Sequence, residues 1–181
     1  MNAGRVTQIP TSFLHGFAKG TRHMASTVFA RIEELLQTAG VPYDVVEHEP
    51  VYTSEEAARV RGVPLSSGAK ALVCKGEIGF VMFVMPAHLR LDSRQVRQVR
   101  GYRKLRFASR AEVLELTGLT PGCIPPFGSL FGLSTFCDRQ LGENETINFN
   151  AGDHGISVSM RYADYVSLED PELGTWGRTE T

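Results

Sequence analysis

The chain has 181 residues, carries 19 Lys and Arg against 20 Asp and Glu for a net charge of −1, and is 42% hydrophobic and 22% charged. That balance excludes a disordered or collagen-like polymer, and the length suits one domain with one core. No apolar run approaches the ~18 residues of a membrane span; the longest, Phe80 to Ala87, is broken by Pro86.

Residues 1–23 mix Gly, Thr, His and single apolar residues without period, and they hold no secretory apolar stretch. His23-Met24-Ala25-Ser26 reads as a cloning junction or an alternative start. Residues 1–23 are therefore set apart as a tail and 24–181 as the domain. Ser26 or Thr27 is expected to cap a helix bearing Val28, Phe29, Ile32, Leu35, Leu36 and Ala39, with Gly40 at its end. Tyr43 to Glu47 reads as a strand. Thr53 and Glu56 form a capping box that opens a short helix ending near Gly62. Ala69 to Lys75 and Phe80 to Met85 are β-rich runs joined by Gly76-Glu77-Ile78-Gly79, a hairpin. Asp92 or Ser93 starts a basic helix that stops at Gly101. A strand at Leu105 to Ala108 precedes a helix over Ala111 to Leu116, capped by Ser109 and ended by Gly118. Residues 118–128 hold three prolines and three glycines and form a rigid loop. Strands follow at Ser129 to Phe136, Thr146 to Phe149 and Ile156 to Met160. The interspersed pattern with hairpin-length links predicts a single α+β domain. Its sheet is mixed, mostly antiparallel and barrel-like, with surrounding helices.

The absences matter too. The sequence has no phosphate-binding P-loop, no dinucleotide-binding glycine motif and no Gly-x-Ser-x-Gly elbow. No Cys-x-x-Cys or His-x-x-x-His pair offers metal-ligand spacing, so neither metal nor cofactor is expected. Cys74, Cys123 and Cys137 are too scattered for a disulfide framework and point to a reduced, cytoplasmic compartment. Cys74 alternates with Leu72 and reads as core. Cys123 could line a pocket, and a Cys/His nucleophilic pair with His154 or His88 is the chemistry it would support.

Three features could carry function. Lys70 enters an apolar strand among small residues; its ordinary state is a solvated strand end, its alternative a phosphate-binding point charge in a cleft. The Gly118–Gly128 loop is either a stiff connection or a stretch of bare backbone whose N–H groups form an anion-binding concavity. Residues 90–110 hold eight basic residues against Asp92 alone, in a chain that is otherwise net acidic. On helical spacing, Arg90, Arg94 and Arg97 fall on one face, with Val96 and Val99 opposite. With Arg100 and Arg103 they form a strip that is either a solvated face or a docking surface for a phosphate backbone. Asn150 to Gly155 is a tight turn, from which Asn150 could aim its amide at a ligand.

Five stretches resemble one family in their order and spacing. They are Val41-Pro42-Tyr43, His48 to Ala58, Gly68-Ala69-Lys70-Ala71-Leu72-Val73, Gly118 to Gly122, and Asn148-Phe149-Asn150-Ala151-Gly152. Together they resemble the YbaK/prolyl-tRNA synthetase-associated domain, the aminoacyl-tRNA editing superfamily, over about residues 27–170. The resemblance implies an α+β fold and hydrolysis of the ester that joins a wrong amino acid to tRNA. The family's essential lysine matches Lys70, and its Gly/Pro substrate loop matches Gly118, Pro121 and Gly122. Gly-Ala-Lys-Ala-Leu-Val-Cys-Lys and Cys-Ile-Pro-Pro-Phe look most like the free-standing deacylases that clear Ser or Thr from tRNA. Branches acting on Ala-tRNA(Pro) or Cys-tRNA(Pro) are the close alternatives.

An activated ester needs a placed water and oxyanion donors, not a covalent nucleophile. Lys70, Gly122 and Cys123 are thus the expected reaction-centre positions. Thr53, Gly118, Pro121, Ile124, Pro125, Phe127, Asn150 and Gly152 are the expected substrate contacts. Arg90, Arg94, Arg97, Arg100 and Arg103 would dock mischarged tRNA. An aminoacyl-tRNA synthetase or elongation factor is a further expected partner, and a membrane is not. A tRNA-binding module without turnover and a cysteine-dependent small-ester hydrolase are the competing classes.

Overall fold

The computed structural model describes residues 25–179; the tail expected at 1–23 lies outside the described residues. Helix α1 (Ala25–Thr38) already includes Ser26 and Thr27, so neither precedes it as a cap. Val28, Ile32 and Leu36 stand four residues apart and are buried as one stripe. Strand β1 (Tyr43–Glu47) follows. Helix α2 (Ser54–Arg61) opens on the capping box: Glu56 N–H donates to Thr53 Oγ1 at 3.1 Å and Thr53 N–H to Glu56 Oε2 at 3.2 Å. The hairpin is β2 (Ala69–Gly76) and β3 (Gly79–Pro86), with Gly76 opposite Gly79.

Beyond it run β4 (Arg90–Leu91), α3 (Ser93–Arg100), β5 (Arg106–Phe107) and α4 (Arg110–Thr117). They are followed by β6 (Ser134–Asp138), β7 (Thr146–Asp153), β8 (Ile156–Arg161), α5 (Tyr162–Glu169), β9 (Glu172–Gly174) and β10 (Gly177–Arg178). The strand expected from Ser129 begins only at Ser134, because Gly128–Phe131 is a 3-10 turn ended by Gly132 in the left-handed conformation.

The class is α+β. Strands β1, β8 and β7 form one antiparallel sheet; β5, β2, β3, β6 and β9 form a second; β4 and β10 pair separately. In the second sheet β5, β2 and β3 are antiparallel, while β6 joins β3 and β9 in parallel. Strand β3 is buried on both faces: Met82 and Val84 face one cluster, Val81, Phe83 and Met85 the other. Its unbroken apolar run is the signature of that environment.

Among the described residues no sheet closes on itself, which corrects the barrel-like expectation. β7 comes to the start of β2 by a single bridge, Gly68 to Asn148. Asn148 spends its side chain on Ser67 and Ser159 there, so side chains rather than a ladder hold the junction. The space between β2 and β7 is left as a cavity.

Candidate active site

That cavity measures about 330 Å³ and is walled by α2, β2, β7 and the turn at Pro121 to Ile124. Lys70 reaches it from β2. Its ammonium donates to Leu89 O at 2.6 Å and to Ala87 O at 3.1 Å, beyond the end of β3. The sheet therefore holds the stem and two carbonyls orient the charge. Thr53, Ala57, Ala58 and Arg61 of the α2 segment face the same space, as do Pro121, Gly122, Ile124 and Asn150.

The loop is built on Gly122, whose φ of +97° suits glycine alone. Asn150 Nδ2 donates to Gly122 O at 2.7 Å, and Gly152 N–H donates to Cys123 O at 2.9 Å. Strand β7 thus fastens the loop at two points. Cys123 N–H is spent on Thr120 O at 3.2 Å. The N–H groups of Gly122 and Ile124 have no acceptor among the described residues. His154 donates Nδ1–H to Val51 O at 2.9 Å, a role fixed by the carbonyl being an acceptor only. Its ring lies 4.6 Å from that of Tyr52, which is 73% exposed at the cavity rim.

Residues 48–168 fit the model of the aminoacyl-tRNA editing domain. The chain belongs to that family. The editing domain is 38% identical over 159 residues to the multifunctional Ser/Thr-tRNA deacylase ProXp-y of Escherichia coli K12, covering 85% of this chain and 95% of the relative. It is 26% identical over 143 residues to the prolyl-tRNA editing protein ProX of Acetoanaerobium sticklandii, covering 76% and 85%. A solved structure described as a candidate trans-editing enzyme for prolyl tRNA synthetase superposes with a TM-score of 0.75 at 27% identity, covering 84% of this chain and 98% of that one.

Several expected residues sit elsewhere in the editing domain. Phe127 is fully buried in the core against Phe149 and Tyr165, and cannot wall a substrate pocket. Pro125 is buried beside it. Gly118 caps α4 in the left-handed conformation, and Gly152 only ties β7 to the loop. Cys123 is buried, and desolvation pushes its thiol up, against the thiolate a nucleophile needs. Cys74 and Cys137 are pushed up to about 12 by burial. Asn150 lines the cavity, and the scaffold orients its amide: Nδ2 donates to the loop and Oδ1 accepts from Arg61 Nη2.

The arginine strip divides. Arg94 and Arg97 are exposed on α3, whereas Arg90 lies in β4 and is not part of that helix face. Val99, expected in the core, is 60% exposed, and only Val96 is buried. Arg100 is committed: Nη1 donates to both Glu172 oxygens at 2.7 Å and the guanidinium lies 4.8 Å over the Phe136 ring. Arg103 is exposed in the segment after α3.

Among the described residues no cluster of His, Cys, Asp or Glu could hold a metal, and no helix is long and apolar enough to cross a membrane. Arg61 and the pair His48 and Ser157 were given no role from sequence, and His154 was raised only as a partner for Cys123, whereas its ring bonds Val51 O instead. His48 lies in a stretch that carries the family resemblance, but only tertiary contact links it through Ser157 and Arg61 to the loop.

Proposed function

We propose that this chain is an aminoacyl-tRNA deacylase that hydrolyses the ester of Ser- or Thr-tRNA in the cytoplasm. The observation that carries the reading is the shared cavity: a sheet-anchored lysine and a glycine turn with two available N–H groups border one space of single-nucleotide scale. The named activity of the Escherichia coli relative supports it.

The aminoacyl ester enters with its terminal adenosine at the rim, where the exposed Tyr52 ring offers a stacking face. Lys70 holds the ribose-phosphate end of the acceptor stem. The scissile carbonyl faces Gly122 and Ile124, whose N–H groups take the charge that develops on its oxygen. A water attacks the carbonyl carbon, assisted by a backbone carbonyl or by the free ribose hydroxyl, and the ester C–O bond breaks to leave the ribose oxygen protonated. Binding of a rigid, already activated substrate removes the need for a covalent intermediate.

The acyl side chain meets Thr53 and the methyl groups of Ala57 and Ala58. A pocket of that kind separates neighbours differing by one methylene by only about 1–3 kcal/mol, so Ala- and Cys-tRNA(Pro) are the nearest competitors. Arg94 and Arg97 dock the tRNA body, and a synthetase or elongation factor is the partner that would hand over substrate.

Mixing the purified chain with tRNA charged with Ser, Thr, Ala or Cys tests this. Multiple-turnover release of Ser or Thr is expected. Tight tRNA binding with no amino acid released would instead identify a non-catalytic binder.

A further inference from the structure

Arg61 is the last residue of α2, half-buried at the cavity wall. The charged side chains lining the cavity are Arg61 and Lys70, and no Asp or Glu lines it. Arginines taken out of water are normally paired with a carboxylate or phosphate. Arg61 forms no ion pair with any described residue. Burial lowers its pKa to about 10, so it remains a cation at neutral pH with part of its hydration removed.

Its orientation is nevertheless fixed. Nε donates to Ser157 Oγ at 2.7 Å, and Nη2 donates to Asn150 Oδ1. Ser157 Oγ lies 2.6 Å from His48 Nε2, and His48 Nδ1 lies 2.8 Å from Glu49 O. Only one proton arrangement of neutral His48 satisfies every partner. Glu49 O can only accept, so Nδ1 carries the proton; Nε2 then accepts the Ser157 hydroxyl proton, which leaves Oγ to accept from Arg61. The Asn150 amide is oriented by the same logic, because Arg61 can only donate and Gly122 O can only accept. A continuous chain of bonds therefore runs from His48 through Ser157, Arg61 and Asn150 to the Gly122 loop. Nη1 has no hydrogen-bond partner among the described residues.

We propose that Arg61 is a phosphate-binding residue of this site, taking an oxyanion of the phosphodiester next to the terminal nucleotide, and that His48, Ser157 and Asn150 are positioning residues that aim its guanidinium. The assignment rests on the deacylase reading. A half-buried planar cation without an internal anion, pinned on Nε and Nη2, matches a ligand that brings its own oxyanion. Every acylated tRNA carries that phosphodiester, whereas the esterified amino acid has no free carboxylate. The same bonds couple phosphate capture to the loop that faces the carbonyl, since Asn150 touches both.

Calorimetric titration of the full chain with adenosine 5′-monophosphate, adenosine and free L-serine separates the sources of negative charge. The parent should bind the monophosphate on the order of tenfold tighter than adenosine. Arg61→Gln should lose most of that preference while keeping its adenosine affinity, Lys70 supplying the remainder, and Arg61→Lys, which retains charge without the fork, should lose less. Ser157→Ala should reduce the preference with adenosine affinity unchanged, which a merely structural role would not produce. An unaltered preference in Arg61→Gln, or in Arg61→Lys should the glutamine variant not fold, overturns the assignment. So does a parent with no preference, or an Arg61 effect confined to serine. A parent that prefers the monophosphate yet releases no amino acid from any charged tRNA would remove the deacylase reading and leave Arg61 as a nucleotide phosphate site.

Discussion

The imidazole of His154 lies against Gly122: a Cβ added to the glycine would stand 3.2 Å from His154 Cε1. The ring cannot withdraw freely, because Nδ1 is bonded to Val51 O and its face meets Tyr52. Gly122→Ala therefore combines this contact with the strain of a φ of +97°, about 1–2 kcal/mol in total. The melting temperature should fall by roughly 2–8 °C. Deacylation should fall by on the order of 100-fold, since small displacements of a positioning loop are costly. A melting temperature equal to the parent's would show that the loop relaxes without strain.

Lys70→Ala removes the oriented ammonium and leaves Ala87 O and Leu89 O to water. Loss of the grip that positions the ester costs on the order of 100-fold in deacylation. The same variant should bind uncharged tRNA within about twofold of the parent, because Arg94 and Arg97 supply the docking charge. Parent-like deacylation by Lys70→Ala would leave the lysine with a structural role only.

The three arginines of α3 should not behave alike. Arg94→Glu combined with Arg97→Glu should weaken tRNA binding and flatten its dependence on salt by roughly one unit of slope per lost phosphate contact, with stability unchanged. Arg100→Glu should instead lower stability, as Arg100 bridges Glu172 and lies over Phe136. Filter binding across a salt series, beside thermal melts, reads both.

Alkylation bears on the cysteine alternative. Cys123 is buried with its thiol pushed up, so iodoacetamide at neutral pH should leave deacylation intact over a time that labels an exposed thiol. Rapid inactivation protected by substrate would restore the nucleophile.

Acid sensitivity has a definite sign. The Glu112 carboxyl is held down to about 2 from an ordinary 4.5, first by its hydrogen bond with Arg106 and then by the Ser109 N–H it caps. A carboxyl depressed in the fold contributes stability above its unfolded pKa and loses it as pH falls through the folded one. The melting-temperature gap between parent and Glu112→Gln should therefore be constant above about pH 5 and shrink toward pH 2. High salt should shrink it as well, because the pair is at the surface.

Much of the fold was legible because its signals are local. The capping boxes at Thr53 and Ser109, the left-handed glycines that end α2, α3 and α4, and the doubly buried run of β3 each depend on residues near in sequence. Helix α5 was missed: it has no side-chain cap, and its buried residues are Tyr165 and Glu169, which is too sparse a stripe to read. Strands β4, β9 and β10 are two or three residues long and exist only through their partners. In the site, Lys70 and the Gly122 turn could be picked out by type and spacing, but Phe127 could not be told from a pocket wall. Its fate depends on Tyr165, 38 positions away.

By itself, the order of residues determined a charge-balanced α+β domain, a lysine on an apolar strand and a glycine–proline turn, because capping, alternation and φ > 0 are properties of neighbours. Only the tertiary structure decided that these two features border one cavity, that Asn150 is oriented by Arg61 and the loop, and that Arg61 stands there without a carboxylate. Those outcomes rest on hydrogen bonds between residues as far apart as Arg61 and Ser157, whose partners are chosen by packing rather than by position along the chain.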